Sequence, residues 1–134
     1  MALLREYKEI AYQWGIWKTE ESPEELLALL PDPERYEQQL TRFSSPHRKL
    51  EWLSVRVLLY QLLGEEKTIE YAPSGKPHLA DSSYFISISH TRGYVAVILS
   101  PVSEVGIDIE QYGQRVHKVA HKYMRPDELI SEYQ

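Results

Sequence analysis

In the stretch VGIDIE, residues 105–110, Asp108 and Glu110 stand two apart in an alternating apolar run. Side chains of a strand alternate between its faces, so this spacing puts both carboxylates on one side. Two carboxylates so placed can grip one hard cation such as Mg2+, which takes oxygen ligands and keeps waters or phosphates in its shell. The pattern equally describes the solvent side of an amphipathic strand, and spacing alone favours that plainer reading.

Other residues could handle an anion. In SISHTRG, His90 sits where a strand turns over, beside Ser89 and Thr91 and ahead of Gly93. Strand-end loops often carry function on a rigid scaffold. A histidine there can hydrogen-bond a phosphate, be satisfied by backbone, or tuck into the core edge with Ile86 and Ile88, whose parity it shares. In SGKP, Lys76 rides a stiff turn pinned by Pro77 and offers a point charge to a phosphate, or merely to water. Arg48, Lys49 and Arg56 are cations on an otherwise apolar helical segment. They could line an anion pocket, Arg56 most suggestively because Val55 and Val57 flank it, or they could snorkel to water. Arg115, Lys118, Lys122 and Arg125 line one side of an expected tail helix, either as a docking face for an acidic partner or as a solvated face.

The elements that must position these groups follow from period and punctuation. Residues 9–18 place Ile10, Tyr12, Trp14 and Ile16 on one parity, a strand with one buried face. Ser22, Pro23 and Glu25 form a capping box for a short helix ending near Pro31. Asp32 and Pro33 repeat the device, as cap and first position, before Tyr36, Leu40 and Phe43 at helical spacing. Ser45 caps and Pro46 opens a long helix that Gly64 is placed to end. Leu50, Leu53, Val57 and Leu58 form its apolar stripe, with Lys49, Trp52 and Arg56 on a neighbouring one. The period then becomes two. TIEYA reads as a strand and PSGKP as a turn with Pro73 second and Gly75 fourth. YFISIS, YVAVILS and EVGIDIE follow as an antiparallel meander, with YVAVIL central and the carboxylate strand beside it. In the tail, Val116, Val119, Ala120 and Tyr123 keep helical spacing, and Pro126 starts a further short segment.

The chain of 134 residues suits one domain with a real core, or part of a larger protein. Its net charge of −5 argues against a generally basic nucleic-acid surface while leaving room for a local basic pocket. With no cysteine, thiolate metal sites, disulfides and cysteine nucleophiles are excluded. No stretch has the apolar length of a signal peptide or a membrane span, so a cytoplasmic protein is expected, with no nucleic-acid or membrane partner.

Taken in order, GKP, then ISISHT with GYVAV, then VGIDIE resemble the 4'-phosphopantetheinyl transferase superfamily. The likeness is to its two-lobed, surfactin-synthetase-activating class, which activates carrier proteins of fatty-acid, polyketide and nonribosomal-peptide synthesis. RKLEWLSVRVLLYQLLG looks like that class's long helix. The resemblance covers residues 45–125 well and the first forty loosely. It implies an α+β fold, a meander sheet packed on the long helix, forming half of a pseudo-dimer with coenzyme A in the cleft. Residues 1–110 would be the N-terminal lobe and 111–134 the start of a truncated C-terminal lobe. The implied activity is transfer of the phosphopantetheine arm of coenzyme A to a serine of an acyl or peptidyl carrier protein, releasing 3',5'-ADP. Asp108 and Glu110 resemble its Mg2+ ligands and His90, with Ser89 beside it, its pyrophosphate contact. Lys76 and Arg56 resemble the groups that hold the nucleotide and its 3'-phosphate, with Arg48 or Lys49 assisting.

The family's second lobe carries a W-x-x-K-E-x-x-x-K-like helix whose glutamate completes the metal site. No such motif occurs by Gln134, so residues 1–134 are expected to be catalytically incomplete alone. Rival readings are a non-catalytic coenzyme A or carrier-protein binding module, a one-lobe holo-carrier-protein synthase active as an oligomer, and a plain structural domain. A lone lobe would expose its apolar inter-lobe face, so self-association is expected. Sedimentation velocity checks this, and a clean monomer at high concentration contradicts it.

Overall fold

The computed structural model describes residues 3–8, 12–112, 115–122 and 129–133. Strands β1 (Leu3–Lys8) and β2 (Gln13–Lys18) precede helices α1 (Pro23–Ala28), α2 (Glu34–Leu40) and α3 (Pro46–Leu63). There follow β3 (Ile69–Tyr71), β4 (Pro77–Leu79), β5 (Phe85–Thr91), β6 (Tyr94–Ser100), β7 (Val105–Tyr112), β8 (Arg115–Lys122) and β9 (Leu129–Tyr133). This is a mixed α+β arrangement with antiparallel sheets, as expected. No helix among the described residues is long and apolar enough to cross a membrane.

Local chemistry explains the helices. Ser22 Oγ accepts from the Glu25 amide while the Glu25 carboxylate accepts from the Ser22 amide, so two otherwise orphaned donors are satisfied together. Ser45 Oγ accepts from the Arg48 amide and opens α3. At the other end Gly64, at φ +72°, closes α3 with its amide donating to the Tyr60 carbonyl. α2 departs from expectation: its cap position is Pro33, and Asp32 makes no side-chain cap bond. The amides of Arg35 and Tyr36 donate instead to the carbonyls of Asp32 and Pro33, so backbone bonds satisfy the donors and the helix starts one residue later.

β6 lies between β2 and β5 in a four-stranded sheet of order β1-β2-β6-β5. One face packs against α3, through Trp17, Val95, Val97 and Leu99 against Leu53, Val57 and Leu58. The other face presents Tyr12, Trp14, Ile16, Ala96 and Ile98 to Val105, Ile107 and Ile109 of β7. The strand expected to bury one face therefore buries two, since Trp14 and Trp17 enter opposite cores. Ile10 lies outside the described residues. α3 likewise buries residues of both its stripes: Trp52 packs against Tyr36 of α2 and Phe43, and Arg56 lies against Tyr71 of β3.

Two expectations are corrected. β5, β6 and β7 are not a meander: β7 belongs to a separate sheet, β7-β8-β9, and packs against β5 and β6 of the first. Both edges of β6 are already paired, and Ser100 Oγ accepts from the amides of Val102 and Ser103, turning the chain out of the sheet after β6. The expected tail helix is also replaced. β8 pairs with β7 from Val105↔Lys122 to Tyr112↔Arg115, and β9 pairs with β8. The free edge of β7 needs backbone partners along its length, which outweighs a helical stripe of four residues, two of them valines. Arg115, Lys118 and Lys122 thus sit on a strand, while Tyr123, Arg125 and Pro126 lie outside the described residues. The short β4, which sequence periodicity missed, pairs with β3 across the PSGKP turn.

A Cβ added at Gly64 would meet nothing within 4 Å, so its requirement is the backbone angle alone. Gly64→Ala should cost about 1 kcal/mol through left-handed strain, read as a lower urea midpoint with an unchanged denaturant slope. An unaltered midpoint would contradict the left-handed cap.

Candidate functional site

The candidate residues are carried by β5, β7, the β3–β4 hairpin and α3. Ser87 Oγ accepts from the Ile107 amide at 3.3 Å, and Ser89 Oγ accepts from the Ile109 amide at 3.2 Å. Two serine hydroxyls therefore fasten β7 over β5, with the strands running in the same direction. Ile107 and Ile109 point into the core, so alternation turns Asp108 outward, and it is exposed. Glu110 occupies the same strand parity. Ser89 thus lies beside the backbone that links the two carboxylate positions. Its oxygen is engaged as an acceptor, which leaves its hydroxyl proton to donate to a ligand oxygen.

His90 falls on the opposite parity, toward α3. Its side chain is 59% exposed and its Nδ1 lies 3.0 Å from Glu51 Oε2. Of the three positions open to His90 in the sequence, it adopts none wholly: it shares the core parity but stays at the rim, paired with a carboxylate. Lys76 follows Gly75, whose φ of +90° requires glycine, and the Gly75 amide closes the turn onto the Ala72 carbonyl. The Lys76 ammonium, itself exposed, meets Glu104 Oε1 at 3.1 Å. Lys76 and Glu104 sit at the mouth of a cleft of about 370 Å³ that reaches Tyr84, Phe85 and Ile86. One wall of this cleft is held by Asp81, which accepts from Lys67 Nζ at 2.6 Å and from the Ser83 amide at 3.0 Å. The bonds from Lys67 and then Ser83 keep the Asp81 carboxyl well below the usual carboxylate range.

Arg56 does not snorkel. It is 6% exposed, with its guanidinium carbon 3.9 Å from the centre of the Trp52 ring. Nη1 donates to the Trp52 carbonyl at 3.3 Å and Nη2 to the Tyr71 hydroxyl at 3.5 Å, tying α3 to β3. Burial lowers its pKa, but arginine remains charged in proteins. Among the described residues no carboxylate forms an ion pair with it. A buried cation with ring and hydroxyl partners but no counter-charge is suited to an incoming anion. Arg48 and Lys49 lie on the first turn of α3, Arg48 exposed and Lys49 half-buried.

The structure thus brings Ser89 to the Asp108–Glu110 strand and Lys76 to the cleft. It sets His90 on the helix side and Arg56 beneath the β3–β4 hairpin. Glu51, Glu104 and Tyr71 were missed by sequence reasoning. Glu51 contacts a residue far along the chain, and nothing local marks such a pair. Among the described residues no group of three or more His, Asp or Glu is placed to hold a metal. Asp108 with the Glu110 position offers an oxygen-only donor pair, which suits a hard cation whose remaining ligands are water and phosphate.

The fold and these residues define an α+β unit with a carboxylate strand fastened over β5, a cleft bordered by Lys76 and a buried arginine on α3. A Synechocystis protein named as a 4'-phosphopantetheinyl transferase is 28% identical over 100 residues, covering 66% of this chain and 41% of its own. The 4'-phosphopantetheinyl transferases AcpT of Salmonella typhi and Escherichia coli K12 are each 38% identical over 64 residues, 47% of this chain and 33% of theirs. No family model matches. The chain spans less than half the length of these relatives, and their names support a place in the 4'-phosphopantetheinyl transferase superfamily.

Ser89→Ala leaves the Ile109 amide without its acceptor. The expected results are faster hydrogen exchange at that amide and a loss of about 1–3 kcal/mol in stability. Unchanged exchange at Ile109 would show that the serine does not fasten β7.

Proposed function

We propose that the chain forms part of a 4'-phosphopantetheinyl transferase, moving the phosphopantetheine arm of coenzyme A to a carrier-protein serine with Mg2+ and releasing 3',5'-ADP. The observation that carries this reading is the serine-fastened strand pair, which sets the Ser89 hydroxyl beside the Asp108–Glu110 strand. The buried, uncompensated Arg56 and the names of the relatives add support.

The carrier serine oxygen forms a bond to the β-phosphorus of coenzyme A, the bond to the bridging oxygen breaks, and the serine proton is lost to a base. Such a transfer is mainly a matter of placement and of charge on the phosphate oxygens. Ser89 donates its hydroxyl proton and His90 its ring N–H to the pyrophosphate. Lys76 and Arg56 hold the nucleotide and its 3'-phosphate, with Arg48 or Lys49 at the helix start. Lys76 exchanges Glu104 for phosphate, a small cost for an exposed pair. Asp108 and Glu110 are the residues that would hold Mg2+, which supplies charge neutralisation to the pyrophosphate when bound. Residues 1–110 then serve as a first lobe, and partners beyond coenzyme A are acyl or peptidyl carrier proteins.

Titration calorimetry with coenzyme A tests this directly. Binding is expected to strengthen with Mg2+, and Asp108→Ala should weaken the Mg2+-supported binding at least about tenfold. No binding with or without Mg2+ would sink the reading. Intact mass of an apo acyl carrier protein, incubated with the chain, coenzyme A and Mg2+, reports transfer itself.

A further inference from the structure

His90 does not stand alone at the end of β5. Glu51, on the second turn of α3, reaches its Nδ1 at 3.0 Å with Oε2, and the same oxygen lies 3.4 Å from His47 Nε2 one turn earlier on the helix. The carboxylate is the fixed member of this trio: its side chain is 23% exposed, against 59% for His90 and 65% for His47. The contact is an ion-pair approach, and it becomes a hydrogen bond when Nδ1 carries the proton and the ring turns toward Oε2, because two lone pairs face to face repel. The Nδ1–H form is the one that leaves Nε2 of a neutral ring as the open position. Nε2 of His90 has no partner among the described residues. Free imidazole prefers the opposite tautomer, so the Glu51 carboxylate beside Nδ1 favours the Nδ1–H form.

We propose that Glu51 is a positioning residue for His90, fixing its Nδ1 so that Nε2 is presented to a phosphate oxygen of the ligand. The inference rests on the function proposed above and adds a residue that the family resemblance did not supply. Charge decides the arrangement: the Glu51 carboxylate repels an approaching anion, so the ring must stand between them, with its Nδ1 inward. Carboxylate–histidine pairs act this way wherever the far nitrogen has a ligand to meet.

Two measurements on the full chain separate this idea from the function it rests on. Long-range 1H–15N spectra, taken above the histidine titration range, report the His90 tautomer without any ligand. The wild type should show Nδ1–H, and Glu51→Ala should return the ring to the Nε2–H form. Glu51→Gln, which keeps an oxygen acceptor, should retain it. Coenzyme A affinity, read by calorimetry, should fall about fivefold to tenfold in Glu51→Ala and much less in Glu51→Gln. In a His90→Ala background Glu51→Ala should have no further effect. An Nε2–H tautomer in the wild type overturns the proposal, as does an affinity loss in His90→Ala that Glu51→Ala does not share. A wild-type chain that binds no coenzyme A but shows the Nδ1–H tautomer refutes the functional reading, and with it the ligand half of this one, while the orienting contact stands. Thermal melts of the variants guard against misfolding, and alanine at a helical surface position is expected to be tolerated.

Discussion

Burial of β6 on both faces and both edges is the constraint from which the rest of the molecule follows. From Val95 to Leu99 every side chain enters a core, odd-numbered residues toward α3 and even-numbered ones toward β7. With β2 and β5 paired to its edges, β6 leaves no ladder for the strand that follows. β7 must cross over the sheet, and its amides need acceptors away from the main ladder. Ser87 and Ser89 supply them from the parity of β5 that faces the second core. A strand of plain alternating apolar residues at β5 would have left those amides buried and unpaired, at about 1–3 kcal/mol each.

The same crossing separates two kinds of charge. β7 turns its isoleucines inward and Asp108 outward, so the carboxylate strand faces solvent on the far side of the second core. The basic groups are held differently. Lys76 and His90 are exposed and each meets a carboxylate, Glu104 and Glu51. Arg56 is buried, and among the described residues it meets a ring face, a carbonyl and a hydroxyl. At the candidate site Lys76 and His90 are thus met by carboxylates, whereas among the described residues Arg56 is not. A balanced exposed cation exchanges its partner cheaply, whereas a buried one without a counter-charge keeps a standing preference for an anion.

Much of this was legible beforehand, for local reasons. The capping box of Ser22 and Glu25, the Ser45 cap and the Gly64 terminus are contacts within four residues, so sequence order alone brings their partners together. The turn at Pro73 and Gly75 is local in the same sense, and so is the outward placement of Asp108 by alternation. Expectations failed where a choice depended on something distant. Trp17 could not be assigned to a core without knowing that α3 covers that face. The tail had a helical stripe of four residues, and a strand partner at β7 outweighed it.

Sequence by itself determined the type of most elements through residue 110, their caps and turns, and the residue types able to meet phosphate and metal. These rest on short-range sterics and hydrogen bonding, which act before the chain has any overall shape. Only the tertiary structure decided that β7 leaves the sheet, that Ser89 lies beside the carboxylate strand, that Arg56 is buried without a carboxylate, and that Glu51 meets His90. Those outcomes depend on which edges and faces are already occupied when two distant segments meet, and occupancy is a property of the packed molecule, not of any stretch of its chain.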